Sequence, residues 1–413
     1  MSTPEALLAS KAGNGALSGV LVLDVSRVVA GPYCSQILAD LGATVIKVEN
    51  PRDPDYTRTF PPFLKHEDEE FSAFYAQYNR GKLGITIDLA VPEGKQVLKD
   101  LVTRADILVE NFRPGTMDKL GLGYSVLREI NPRLVYTAIS GYGQTGPLSR
   151  RPAYDNTAQA AGGLWSMNGE PDRPALRVGT IIGDLSATMF GVIGTLAALR
   201  HAEQHGIGQL VDVAQVDSVV AMTETAVVNY TVDGQIAGRL GNEHPFVRPY
   251  ELFPCKDGDV FFGGYTDKFW TITCEMFGEP DAATDPEIDT MAKRFDRDTY
   301  ERRVRPLLHK WFADRTRSEL ENMAGEKVPM TAIKTIDEVV ADEQTAAREM
   351  IVDVNYEHLG HLRMFGQPIK LGVTPASPAR RANLVGEHTD PVLRALAGYS
   401  PEHIETIRSL GAI

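Results

Sequence analysis

From Gly19 onward the chain alternates short apolar runs with amphipathic stretches of helical length, and few architectures accept that alternation. Residues 20–25 (VLVLDV), 44–49 (TVIKVE), 85–88 (ITID), 107–110 (ILVE), 134–139 (LVYTAI) and 209–213 (QLVDV) are short and bounded by turn residues. Runs of this kind suit parallel strands covered on both faces. Between them lie SRVVAGPYCSQILADLGA, with Pro32 near a helix start and Gly42 near its end, and helical stretches around 93–104 and 117–127. Strands spaced by such helices imply right-handed crossovers in a doubly wound α/β sheet. The strand ends at Ser26, Glu49, Asn111 and Ser140 then share one edge, where open α/β sheets bind ligands.

With 413 residues the chain exceeds one ordinary core, so two domains are expected. Residues 1–18 read as a flexible tail and 19–228 as the first part of a large, Rossmann-like domain. A polar linker follows at 229–243. Residues 244–326 form a smaller α+β domain that opens on a hairpin turning at Lys256-Asp257-Gly258. Residues 327–413 return to the large domain and end in an exposed-looking helical tail. The Pro- and charge-rich stretch 51–71 reads as a long loop, either a lid or plain solvated surface.

A net charge of −13 argues against nucleic acid as a partner. Any anionic ligand must therefore be met by local Arg and Lys. Cys34, Cys255 and Cys274 are odd in number and scattered, which fits a reducing, cytoplasmic setting without a disulfide framework. The N-terminus lacks the basic start and apolar core of a signal peptide. His201 and His205 have metal-ligand spacing, but their polar surroundings suggest a solvated helix end, and no metal site is expected. The turn SRVVAGP carries no dinucleotide fingerprint, and P-loop and nucleophile-elbow signatures are absent.

The segment RVGTIIGDLSATMFGVIGTLAAL sets one carboxylate, Asp184, at the mouth of a long apolar helix. The helix pattern predicts a buried face through Met189, Phe190, Ile193, Leu196 and Leu199. Its length raises the question of a membrane span, but Asp184 and many small polar residues favour a helix buried in protein. A carboxylate in that place is either a helix cap or a nucleophile. Basic residues gather at the strand ends: Arg27, Lys47, Arg80, Lys82, Arg113 and Lys119. A phosphorylated ligand on that edge would meet several of them.

The segments VLDVSRVVAGPYCSQILADLGATVIKVENP, YNRGKLGITIDL, VENFRPGTMDKLGLGY, ISGYGQTGPLSRRPAYDNTAQAAGGL, VGTIIGDLSATMFGVIGTLAAL, HPFVRPYELFPCKDG and LVGEHTDPVL occur in order over nearly the whole chain. Together they resemble the family III coenzyme A transferases, the family of formyl-CoA transferase and carnitine CoA-transferase. The resemblance implies ring-shaped subunits interlocked as a homodimer. It implies acyl-CoA and a free carboxylic acid as substrates, with no permanently bound cofactor. It places the family's nucleophilic aspartate on Asp184, its ENF-x-PG segment on Asn111 and Phe112, and its first loop on residues 26–32, including Ser26, Arg27, Val29 and Ala30. With these go Arg80, Lys82, Arg113 and Lys119 as expected CoA-binding residues.

Formate-using members carry a Gln at the position of Val29 and a Gly-rich loop in the small domain. Here only Gly263-Gly264 is found, so formate and oxalate are disfavoured. Related α-methylacyl-CoA racemases have a His where this chain has Tyr154. Tyrosine, with an unperturbed pKa near ~10, is a poor base at neutral pH, which argues for transfer over racemisation. Tyr154 could instead donate a hydrogen bond to a substrate carboxylate. The expectation is CoA transfer through Asp184, with succinyl-CoA and a methylated or hydroxylated dicarboxylate as substrates. The alternatives are an acyl-CoA racemase or isomerase of the same superfamily, or an inactive CoA-binding subunit.

Overall fold

The computed structural model describes residues 15–413, which divide into two units. The first comprises 15–164, 177–233 and 343–413 of these residues, and the second Trp165–Leu176 and Gly234–Asp342. The second unit therefore takes in a segment before Asp184 and continues past 326, and the expected 229–243 linker is divided between the two. Of the expected 1–18 tail, residues 1–14 lie outside the described residues. Gly15–Ser18 form a turn, with the Leu17 N–H donating to the Leu41 carbonyl at 3.0 Å.

The first unit is built on six strands: β1 (Leu21–Asp24), β2 (Thr44–Glu49), β3 (Leu83–Thr86), β4 (Ile107–Glu110), β5 (Val135–Ser140) and β6 (Leu210–Ala214). They lie in the order β3-β2-β1-β4-β5-β6, every pair parallel. Alternate side chains serve opposite faces, as a pleated strand requires. Leu23, Ile46, Ile85 and Leu108 enter one core, and Val22, Val45, Ile107 and Val109 the other. Helix α1 (Ala30–Asp40) covers the second face, and α2 (Pro92–Val102) the first. The sheet order reverses direction between β1 and β4, a switch point that opens a crevice at the carboxyl edge.

After β5 come α3 (Asp155–Ala161), α4 (Ile182–His205), α5 (Gln215–Ala221) and α6 (Ala226–Asp233). Helix α4 is long and apolar enough to span a membrane. However, it packs on α1, β5 and β6 as the core helix of a soluble protein does. It approaches closely because its inner face is small: Gly183, Ala187, Gly191, Thr195, Ala198 and Ala202 are buried. A Cβ on Gly191 would meet Ile139 Cδ1 at 3.0 Å, and Thr195 Oγ1 hydrogen-bonds Thr137 Oγ1 at 2.6 Å. The expected apolar face is thus corrected in part. Leu199 is buried, whereas Met189, Phe190 and Ile193 point outward and Ile193 is 62% exposed.

Three other expectations are revised. The stretch 51–71 is structured, with a 3-10 turn at Tyr56–Thr59 and paired strands Phe63–His66 and Glu69–Ser72. The helix expected around 117–127 is two short helices, Thr116–Leu120 and Tyr124–Ile130, broken where Gly121 adopts φ 71°. The C-terminal helix Pro401–Ser409 is no exposed tail, since Ile404 and Ile407 are buried beside α2.

The second unit has an antiparallel sheet of Glu251–Cys255, Gly258–Phe262 and Met330–Ala332. Its core joins Phe253 and Phe262 to Trp270, Trp311 and Phe312.

Candidate active site

Asp184 sits in the first turn of α4 and does not cap that helix. The cap comes from α3. Asp155 Oδ1 accepts the Gly183 N–H at 2.7 Å and the Asp184 N–H at 3.4 Å. Asp184 is left with its carboxylate facing a cavity, and the side-chain amide of Gln215, the first residue of α5, donates to its Oδ1. Burial above all, and the Asp155 carboxylate next, push the Asp184 carboxyl up to about 7, while the Gln215 hydrogen bond works the other way.

The cavity, about 210 Å³ in volume, lies at the carboxyl edge of the sheet. The β1–α1 turn supplies Val28, Val29 and Ala30 to one wall. Val28 has φ 72°, a costly conformation for a β-branched residue. It is held there by its N–H bond to Asp55 Oδ2 at 3.0 Å. The next wall is Asn111, Phe112 and Arg113, which follow β4. Asn111 ties the two strand ends together: its Oδ1 accepts the Arg27 N–H at 2.8 Å and its Nδ2 donates to the Arg27 carbonyl at 2.7 Å. Arg151 and Tyr154, from the loop after β5, complete the rim, and Tyr154 is 71% exposed.

A second cavity of about 220 Å³ lies along the same edge. Arg27, Asn50, Leu89 and Leu120 line it, and Phe112 lines both cavities. Arg27 is anchored by Asp53 Oδ2 at 3.1 Å and the Pro54 carbonyl at 2.7 Å.

The expected site residues are therefore sorted by the fold. Val29, Ala30, Asn111, Phe112, Arg113, Tyr154 and Asp184 meet at the first cavity, and Arg27 at the second. Lys119 is exposed on the short helix whose Leu120 lines the second cavity, but lines neither itself.

Three residues are corrected. Ser26 is buried, and its hydroxyl and N–H both bond Asp24 Oδ1. Arg80 is buried against Asp40 Oδ2 at 2.7 Å and donates to the Phe365 carbonyl. Lys82 spends its ammonium protons on Asp24 Oδ2, the Pro32 carbonyl and Asn79 Oδ1, each at 2.8 Å. Lys47, from the same basic set, is buried between Asp24 and Asp55. These cations neutralise carboxylates within the core and are not available to a phosphate. A basic residue at a strand end looks alike in sequence whether it turns inward or outward.

Arg151, Asp155 and Gln215 were missed. Asp155 and Gln215 each open a helix beside Asp184, but 29 and 31 residues away in the chain. Only the packing of α3 and α5 on α4 brings them together.

The model of CoA-transferase family III matches residues 17–389. The chain is 38% identical to the succinyl-CoA:mesaconate CoA-transferase of Haloarcula hispanica, over 92% of this chain and 96% of that protein. It is 34% identical to the succinyl-CoA–D-citramalate CoA-transferase of Chloroflexus aurantiacus, over 95% and 97% of the two chains. It is 37% identical to the succinate–glutarate CoA-transferase of Agrobacterium fabrum, over 92% and 95%. Among solved structures, a CAIB/BAIF family protein from Brucella suis superposes with a TM-score of 0.81 at 33% identity, covering 93% of this chain and all of that one. With a matching family model, full-length relatives and a shared fold, the chain belongs to CoA-transferase family III.

Proposed function

We propose that this enzyme moves CoA from succinyl-CoA to a small dicarboxylic acid, with Asp184 as the nucleophile that carries CoA between them. One observation carries the reading: a half-buried carboxylate faces a cavity that Arg113 and Arg151, both exposed, also line. Desolvation makes the carboxylate a better nucleophile. The guanidiniums supply the positive charge that an anionic ligand needs near a protein of net charge −13. Relatives named for mesaconate, D-citramalate and glutarate support a dicarboxylic acceptor.

In this reading the CoA nucleotide lies along the second cavity, with Phe112 between it and the thioester. Arg27, Arg113 and Lys119 are the phosphate partners. Arg151 meets the far carboxylate of the acid, and Tyr154 donates to its near one. Asp184 Oδ2 attacks the thioester carbonyl, the C–S bond breaks, and the thiolate leaves with the electron pair, giving a mixed anhydride. The thiolate then attacks Asp184 Cγ and expels the donor's acid as a carboxylate. The acceptor carboxylate attacks the resulting aspartyl thioester and regenerates the thiolate. Attack of that thiolate on the acceptor's acyl carbon frees Asp184. No step needs a net proton or electron from elsewhere.

The test is a panel of dicarboxylic acids offered to the purified enzyme with succinyl-CoA, with CoA esters followed by mass spectrometry. Asp184→Ala should lose transfer while still binding CoA. Acceptor-independent exchange of solvent deuterium into the acyl α-carbon would replace this reading with racemase chemistry. We also propose that the chain works as a homodimer, supported by the outward-facing Met189, Phe190 and Ile193 of α4.

A further inference from the structure

Gln215 is 7% exposed and lines the Asp184 cavity, and among the described residues its side-chain Nε2 donates to Asp184 Oδ1. An ionised carboxylate accepts and does not donate, so the amide nitrogen faces it. The two oxygens of Asp184 are thereby unlike. Oδ1 is held by a neutral donor, and Oδ2 is left for attack. We infer that Gln215 is a catalytic oxyanion donor, stabilising the negative charge that develops on Asp184 Oδ1 whenever Cγ is attacked.

This rests on the nucleophile reading above and follows it step by step. When Oδ2 joins the donor's acyl carbon, Oδ1 becomes the carbonyl oxygen of the aspartyl half of the anhydride. Thiolate addition to Cγ turns that carbonyl oxygen into an oxyanion. It collapses back to a carbonyl as the Cγ–Oδ2 bond breaks and the donor's carboxylate leaves with the electron pair. Acceptor addition to the aspartyl thioester repeats the event, with the Cγ–S bond breaking. In each case the charge forms on the atom that Gln215 already contacts. A preorganised donor is most effective at such an atom, because it need not reorient as the charge appears.

Gln215 is well held for the role. It begins α5 directly after β6, and α5 packs against α3 and α4, the two helices that position Asp184. The Ser218 hydroxyl bonds the Ala214 carbonyl at 2.8 Å and ties the first turn of α5 to the strand end. The side chain is not used to cap its own helix. Its amide is therefore spent on the nucleophile and not on secondary structure.

The experiment compares Gln215→Met, which keeps the volume and removes the donor, with Gln215→Ala and wild type. Melting temperature and CoA affinity are the controls for folding. Enzyme mixed with succinyl-CoA and no acceptor is quenched at short times, and the aspartyl-CoA adduct is followed by intact-protein mass spectrometry. Both variants should form the adduct, and turn over, about 10²- to 10³-fold more slowly, with KM for succinyl-CoA changed by no more than a few-fold. A merely structural role would lower the melting temperature or the CoA affinity instead. Adduct formation and kcat within threefold of wild type in a folded Gln215→Met enzyme would overturn the inference. Should that variant fail to fold, the same limits apply to Gln215→Ala. Transfer surviving in Asp184→Ala would instead remove the nucleophile reading on which it stands.

Discussion

Asp184 is destabilising as an ionised group, and that is measurable. Burial, with the Asp155 carboxylate, pushes the Asp184 carboxyl up from the ordinary 3.8 to about 7 in the folded protein. The folded chain therefore binds this proton more tightly than the unfolded chain does. The resulting stability is fully present below about pH 4 and is lost as pH rises to 7. Asp184→Asn should melt several degrees higher than wild type at pH 8, and the gap should close by pH 4. Equal melting curves at pH 8 would show that Asp184 is better solvated than its surroundings imply. The wild-type kcat/KM should fall tenfold per pH unit well below 7, because attack needs the ionised form. Lys82 is a second buried charge, held by Asp24, the Pro32 carbonyl and Asn79, and it lines neither cavity. Lys82→Met should cost no more than about 3–5 kcal/mol, since Lys47 stays 4.0 Å from the Asp24 carboxylate, read as a lowered denaturation midpoint, with KM for acyl-CoA unchanged in the folded fraction. A raised KM at unchanged stability would return Lys82 to the CoA site.

At the scale of elements, the site is a meeting of helix and strand ends, and each end came to the sequence reading with a different clarity. The strands β2 and β4 are buried on both faces and were legible to the residue. Strand β3 was placed two residues late because Gly84 interrupts its apolar run. Asn111 was legible as a strand end, and Phe112 only through the family resemblance. Asp155 was not, because its partner is the first turn of a helix far along the chain. That cap gives a prediction. Asp155→Asn keeps an oxygen for the Gly183 N–H but removes the carboxylate whose charge helps raise Asp184. The acidic limb of the kcat/KM profile should move to lower pH, with burial still holding it above the ordinary carboxylate range. Asp155→Ala also removes the cap and should cost about 1 kcal/mol more in thermal unfolding. An acidic limb that stays in place in Asp155→Asn would mean that burial alone sets the Asp184 titration.

For the whole molecule, the apolar character of α4 was legible but its orientation was not. Helical periodicity identifies a stripe of large apolar residues, and ordinarily that stripe faces the core. Here the sheet and α1 take the small-residue side instead, because Gly191, Thr195 and Ala198 allow the backbones to approach closely. The large side chains are left outside: Met189, Phe190 and Ile193 on α4, with Val227, Val228 and Tyr230 on α6. Exposed large apolar side chains are ordinary when scattered and mark a permanent interface when they gather in one patch. A second copy of the chain is the occupant we propose. The 45.2 kDa chain should then sediment at twice its mass at micromolar concentration. Ile193→Lys places a charge where an apolar side chain is buried only in the dimer, so it should shift the enzyme toward monomer and reduce activity with it. Because Ile193 is 62% exposed in the single chain, the substitution should leave monomer folding largely intact, as judged by circular dichroism. Sedimentation of wild type as a 45.2 kDa species, or of Ile193→Lys as an unchanged active dimer, would assign this face to something other than a second copy.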